Sequence, residues 1–153
     1  MDLFPLLLLL HVVSATIWVG GMFFAYVCLR PVAATQLAPP ERLRLWSAVL
    51  QRFFLWVWLA APLQLASGLA MLLAIGFRNA PLHWHLMLLT GCLMIAIFLW
   101  VVAQPYRALR RAVAAQQWAA GGAALGRIRQ LVAVNLALGL LTIALATAGR
   151  LIS

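Results

Sequence analysis

Residues 5–29 read PLLLLLHVVSATIWVGGMFFAYVCL, an apolar run in which His11 is the one basic side chain. A helix needs roughly 20 residues to cross a hydrocarbon core of about 30 Å, so this run is long enough to span a bilayer. Comparable apolar runs follow at residues 53–75, 82–102 and 131–151. Because unpaired backbone groups are not tolerated in lipid, each run is predicted to form a helix.

The composition also favours a membrane protein. Of the 153 residues, 67% are hydrophobic and 8% are charged, which leaves too little polar surface to coat a soluble globule. We therefore predict an all-α fold, an up-down-up-down bundle of four transmembrane helices that forms one domain over residues 1–153. The first run has no basic n-region and no small-residue cleavage site, so it is expected to be retained.

The arginines predict the orientation of the chain. All eleven basic residues are arginine, and most flank the connections between the first and second runs and between the third and fourth runs: Arg30, Arg42, Arg44, Arg52, Arg107, Arg110, Arg111, Arg127 and Arg129. Arg78 and Arg150 fall on the opposite side, with Asp2. The positive-inside rule then places both termini in the periplasm, as in a multi-pass protein of a bacterial inner membrane. Arginines at helix ends are an ordinary topology signal, so a nucleic-acid partner is not expected.

Prolines and glycines predict where helices begin and end. Residues 39–41, Pro-Pro-Glu, are a helix start signal ahead of the second run. Gly76 is expected to end that helix, Pro105 to mark a boundary after the third run, and the glycine pair at 121–122 to break the chain before the fourth helix. An amphipathic lead-in to the second run is expected to bury one face, formed by Leu43, Trp46 and Leu50.

The first helix carries a stripe that could hold a cofactor. A step of about 100° per residue places the following residues together: His11, Ser14, Ala15, Trp18, Gly21 and Met22. Small residues allow close approach, so we expect Ser14 and Trp18 to line a pocket beside His11. On the third helix, the corresponding stripe through His85 contains Leu89, Cys92, Ala96 and Ala103.

His11 and His85 are predicted to lie at nearly equal depth. Counted from Pro5 and Pro81, which open the two helices, the histidines differ in depth by roughly 3 Å at 1.5 Å per residue. Alternate helices of such a bundle are parallel, so the two imidazoles could be the axial ligands of one b-type haem.

A six-coordinate haem of this kind predicts electron transfer to or from a quinone or a protein partner. The sequence leaves open whether the protein forms oligomers. Arg78 and Arg150 are candidates to bind its propionates.

His83 and Met87 support an alternative site. His83 lies about 200° around the helix from His85, so only one of the two can face a given pocket. His83 and Met87 are four residues apart on one face, and imidazole with thioether suits copper(I). The sequence therefore leaves two alternatives open, haem or copper as the bound group and His85 or His83 as the ligand from the third helix.

The cysteines are not expected to pair. Cys28 lies near the end of its run and Cys92 about midway along the third, so a disulfide would distort a helix. Both are predicted to be small buried apolar side chains.

Three stretches of the chain resemble a known family. They are LHVVSATIWVGGMFFAYVCLRP at 10–31, PLHWHLML at 81–88, and the stretch at 105–146. They resemble the CopD-like family of small bacterial inner-membrane proteins, and the family's histidines match His11 and His85. The resemblance implies a four-helix membrane domain, a link to copper resistance or uptake, and kinship with membrane proteins that bind b-type haem. The first helix is also similar to the HemJ-type oxidases, which implies porphyrinogen or quinol oxidation as a further alternative.

Overall fold

The computed structural model describes residues 3–149, which are helical except for short connections and contain no strand. The first two predicted runs correspond to α1 (Phe4–Phe23), a π-helical segment (Phe24–Leu29), α2 (Arg30–Gln36) and α3 (Pro39–Ile75). The last two correspond to α4 (Leu82–Ala103), α5 (Pro105–Ala114) and α6 (Trp118–Ala148). The predicted four-helix fold is confirmed.

The surface of the bundle is suited to lipid. Four stretches are long and apolar enough to cross a membrane: Phe4–Gln36, Pro39–Ile75, Leu82–Ala114 and Trp118–Ala148. Large apolar side chains point away from the bundle, and Leu55 and Leu73 expose 66% and 62% of their surfaces. So much exposed apolar area is unfavourable in water, whereas it is the ordinary outer surface of a helix bundle in a bilayer.

The helices alternate in direction, and the bundle has two dissimilar ends. At the turn end, residues 76–81 connect α3 to α4. The arginine end carries α2, α5 and the other two connections. Packing is strongest within two helix pairs, α1 with α3 and α4 with α6. Helices α1 and α4 consequently lie diagonally across the bundle, and their backbones approach each other closely at few points.

Most of the predicted boundaries are confirmed. Ala38 is extended immediately before α3, and Gly76 ends α3 at φ 90°, a conformation that favours glycine. Pro105 separates α4 from α5. At 1.5 Å per residue α3 is about 55 Å long, which exceeds the hydrocarbon thickness. It therefore extends beyond the core at the arginine end, where its lead-in face is buried as predicted: Leu43, Trp46 and Leu50.

The predicted break at residues 121–122 is wrong. Helix α6 begins at Trp118 and runs through both glycines, and the chain reverses direction just before it, where Gln116 has φ 54°. Gly121 serves packing instead. A Cβ on Gly121 would lie 3.1 Å from a methyl carbon of Leu43 and 3.6 Å from Cβ of Ala112. The missing side chain lets α3 and α5 approach α6 closely.

An aromatic row fills the arginine-end half of the bundle. It comprises Trp18, Phe54, Trp58, Phe98 and Tyr106. The rings meet edge to face, with centroids 5.5 Å apart for Phe54 and Phe98 and 5.0 Å apart for Phe54 and Tyr106. This is a favoured arrangement of aromatic quadrupoles, and it packs α1, α3, α4 and α5 together.

The prediction for the cysteines is confirmed for their pairing and wrong for their burial. Cys28 and Cys92 are both free, which confirms that they do not pair. Both are exposed on the lipid-facing side of their helices, so the prediction that they are buried is wrong. Their helices are apolar on all sides, which gives a sequence little contrast from which to assign an inner face.

Candidate functional site

The turn-end half of the bundle contains a partly open cavity of about 390 Å³. Its wall comes from α1, the second half of α3, the first half of α4 and the second half of α6. It lies between α1 and α4, whose backbones approach each other closely at few points. Its volume falls within the roughly 300–1,000 Å³ that is usual for small-molecule sites.

The wall of the cavity is mostly apolar but carries polar and sulphur-bearing side chains from every helix. These side chains are His11, Gln64, Met71, His83, Met87, Met94 and Thr142. Gly68, Gly91 and Gly139 contribute backbone to the same wall. Mostly apolar walls with a few polar groups are typical of a ligand site.

His11 is held by α3 through both ring nitrogens. Its Nδ1 lies 3.0 Å from Oγ of Ser67, and the amide nitrogen of Gln64 lies 2.9 Å from its Nε2. The Ser67 hydroxyl donates its proton to the carbonyl oxygen of Leu63, at 2.6 Å, so towards His11 it acts as an acceptor. One tautomer satisfies all three contacts: Nδ1 carries the proton, and the lone pair of Nε2 accepts from Gln64.

Two details show how closely the His11 site is built. A Cβ on Gly68 would lie 2.9 Å from Cε1 of His11, so the imidazole occupies the space that a side chain would take. Oε1 of Gln64 is buried and has no hydrogen-bond partner within residues 3–149. A buried amide oxygen without a partner is costly, and it leaves an acceptor available beside the imidazole.

On α4, His83 and Met87 line the cavity, and His85 does not. His83 is 4% exposed and packs against Gly149 at the end of α6. The His85 ring instead packs edge to face against Phe77, with centroids 4.6 Å apart. Its Nε2 lies 3.0 Å from the carbonyl oxygen of Phe77. The fold therefore brings His11 and His83 to one cavity and leaves His85 at the connecting turn.

The predicted inner stripe of α4 is consequently wrong. Leu89 and Cys92, which share the His85 stripe, are exposed. The buried face follows a different stripe at helical spacing: His83, Thr90, Met94, Phe98 and Val101. Because apolar residues occupy every face of α4, the polar residues Thr90 and His83 indicate its inner face better than hydropathy does.

The remaining predicted site residues have varied positions. Trp18 lines the cavity, whereas Ser14 is buried but is not part of the wall. Arg78 is exposed in the connecting turn, away from the cavity. Arg150 lies outside the described residues. Gln64 and Ser67 were not predicted as partners of His11, although a polar pair spaced by one helical turn and followed by Gly68 could have indicated a docking face.

The donor atoms of the cavity favour a soft metal ion. Within residues 3–149 no three His, Cys, Asp or Glu side chains gather into a metal-binding group. A metal in this cavity would therefore need thioether sulphur together with imidazole nitrogen. That donor set suits copper(I) better than it suits zinc, calcium or magnesium.

Comparison with known proteins identifies one family. The family model described as Copper resistance protein D (CopD) matches residues 47–148. No curated protein and no solved structure match the chain. The matched region contains most of α3 and all of α4 and α5, and it ends at the last residue of α6. It includes Gln64, Ser67, His83 and Met87, and it excludes His11.

Proposed function

Because this chain belongs to the copper resistance protein D family and is a multi-pass inner-membrane protein, we propose that it binds copper(I) in the turn-end cavity as part of copper handling. The observation that carries the proposal is the shared wall of His11, His83 and Met87, which combines imidazole nitrogens with a thioether in a membrane-embedded cavity. Met71 and Met94 add further thioethers to the same wall.

The tautomer of His11 supports this proposal. A metal binds the unprotonated ring nitrogen, and the other nitrogen usually donates to a neighbour that fixes the ring. In His11, Nδ1–H is fixed by Ser67, so Nε2 is the nitrogen available to copper. The Gln64 amide donates to that lone pair, so copper binding replaces one hydrogen bond and needs no change in the protonation of the ring.

Copper(I) affinity of the purified protein in detergent micelles tests the proposal. Competition with a chromophoric copper(I) chelator should show binding that is lost in His11→Ala, His83→Ala and Met87→Leu. Matched controls are His85→Ala, which removes a histidine outside the cavity, and Met22→Leu, which removes a thioether that is not part of its wall. Binding that survives His83→Ala and disappears in His85→Ala would refute this site.

Ser67→Ala tests the positioning of His11 separately from its role as a ligand. Without the serine oxygen the Nδ1–H loses its acceptor, and the ring loses its fixed tautomer and orientation. Loss of such a partner typically weakens metal binding about 10- to 100-fold, and we expect an effect near the lower limit. The same chelator competition measures it. An unchanged affinity would show that Ser67 does not orient the ligand.

A b-type haem is the second candidate, and the size of the cavity favours it. A bare ion needs far less than 390 Å³, and the cavity has imidazoles on α1 and α4, which face each other. A haem would supply one-electron redox chemistry with two axial histidines, and this position favours His11 with His83 over the predicted His11 with His85. Electron transfer to a quinone or protein partner, or oxidation of a porphyrinogen or quinol, would depend on that haem.

The visible spectrum separates the two candidates. Purified protein with the sharp bands of a low-spin haem, lost in His11→Ala and His83→Ala and kept in His85→Ala, would support haem. A colourless protein that retains copper(I) would exclude it and support copper handling.

A further inference from the structure

Three arginines from three helices meet at the arginine end of the bundle. Arg30 is the first residue of α2, Arg42 lies in the first turn of α3, and Arg129 lies in α6. Arg30 and Arg42 are close enough to Arg129 to repel its guanidinium electrostatically. We refer to Arg30, Arg42 and Arg129 as the arginine triad.

The triad has buried donors that the protein does not satisfy. The Nε atoms of Arg42 and Arg129 are both buried and have no hydrogen-bond partner within residues 3–149. Nη1 of Arg42 donates to the carbonyl oxygen of Ala34 over 3.5 Å, and Arg30 stacks over the ring of Tyr26 at 4.8 Å. Buried donors on charged groups are costly unless an acceptor meets them.

Within residues 3–149, no carboxylate offsets the charge of the triad. The chain has two acidic residues, Asp2 and Glu41, and Glu41 is exposed. Of the side chains that act electrostatically on Arg129 within the described residues, Arg30 and Arg42 repel it, the phenol of Tyr26 partly offsets them, and no carboxylate is among them. The described residues therefore place three like charges near one another with no carboxylate to offset them.

We propose that the arginine triad binds the phosphate of an anionic phospholipid headgroup. Guanidinium groups pair with phosphate through parallel hydrogen bonds, and basic pockets between transmembrane helices recognise lipid headgroups in this way. The surroundings fit a lipid and not only a phosphate. Beside Arg30 the same helical stretch exposes large apolar side chains that acyl chains can cover: Phe24, Val27 and Val32. This site is separate from the cavity and does not depend on the copper proposal.

Thermal unfolding with added lipid tests the proposal. Purified protein in neutral detergent micelles receives phosphatidylglycerol, phosphatidylcholine or inorganic phosphate, and Tm is measured for each. We expect phosphatidylglycerol to raise Tm of the wild type, and the other two additions to leave it unchanged. The increase should be lost in Arg42→Gln and Arg129→Gln. It should persist in Arg127→Gln, the matched control, which removes an exposed arginine two residues away on the same helix.

Unfolding in phosphatidylcholine alone distinguishes ligand binding from a structural role. Because the Nε atom of Arg129 is buried without a partner and like charges lie near its guanidinium, Arg129→Gln should unfold at the same temperature as the wild type or higher when no anionic lipid is present. A lower Tm there, or an undiminished response of Arg129→Gln to phosphatidylglycerol, would overturn the proposal. An equal response of the wild type to inorganic phosphate would overturn it as well, because the site would then take a soluble anion.

Discussion

The two halves of this bundle are built from the same long helices but differ in how the space between them is filled. At the arginine end, the aromatic row closes the centre with edge-to-face rings. At the turn end, glycines and flexible methionines surround a cavity of about 390 Å³. Trp18 belongs to both, because it is a member of the row and lines the cavity. The cavity is therefore confined to the turn-end half of the bundle and borders the packed aromatic row at Trp18.

Stability and open space are divided between the two halves of the helices. Aromatic pairs contribute about 0.5–1.5 kcal/mol each beyond the area they bury, and the row contains several. The wall of the cavity lacks neighbouring atoms on one side and forgoes those dispersion contacts. We infer that the arginine-end half supplies most of the stability of the bundle, so that the turn-end half can retain a cavity. Three predictions test this contrast.

The largest effect is expected at the centre of the aromatic row. Phe54→Ala removes a ring that contacts both Phe98 and Tyr106 and should reduce the free energy of unfolding by about 3–5 kcal/mol. Denaturant unfolding in mixed micelles measures it, and Phe54→Leu provides a milder variant if the alanine variant does not fold. Leu55→Ala is the matched control, because Leu55 faces outward and should lose no more than about 0.5 kcal/mol. Equal losses at the two positions would contradict the contrast.

A smaller effect is expected where α3 supports His11. In Gly68→Ala the new methyl group occupies the position of the imidazole, which should cost about 1–3 kcal/mol of overpacking and weaken copper(I) binding by displacing Nε2. In Gly20→Ala the new methyl group meets no atom within 4 Å. That variant should be unchanged or more stable by about 0.5–1 kcal/mol, because alanine favours helix. Tight copper binding in Gly68→Ala would show that His11 is not a ligand.

The smallest effect is expected at the polar contact between α4 and α6. The hydroxyls of Thr90 and Thr142 lie 2.7 Å apart. Thr90→Val should cost about 0.6 kcal/mol, the average for a hydrogen bond between membrane helices. Thr16→Val is the control, because the exposed Thr16 hydroxyl donates within its own helix to Val12. Unfolding in mixed micelles measures both. A loss as large as that of Phe54→Ala would show that the turn-end half relies on polar contacts for its stability.

The sequence predicted four helices that are long and apolar enough to span a membrane, because length and hydropathy are properties of each segment alone. Boundary residues with one dominant conformational effect, such as Gly76 and Pro105, were also correctly placed. The glycine pair at 121–122 was not correctly interpreted, because glycine has two structural roles in helices. It can end a helix or let another helix approach, and only the positions of Leu43 and Ala112 show that Gly121 does the second.

The candidate site was predicted in part for a related reason. On α1, small and polar residues mark one face, and both His11 and Trp18 from that face line the cavity. On α4, every face is mostly apolar, so His85 was favoured by its depth and by the family resemblance, and neither gives the rotation of a helix. The rotation depends on partners such as Gly149, which packs against His83, and Thr142, which meets Thr90. Those partners are remote in sequence.

The π-helical segment between α1 and α2 makes the structure sensitive to the number of residues between positions 24 and 29. The backbone N–H of Arg30 bonds to the carbonyl oxygen of Ala25, five residues back, so this turn holds one residue more than an α-helical turn. One residue corresponds to about 100° of rotation. The segment therefore sets the angular offset between the face that carries His11 and the face that carries Arg30. Substitutions at residues 24–29 should therefore be tolerated far better than the deletion of a single residue. A deletion would rotate the cavity relative to the arginine triad.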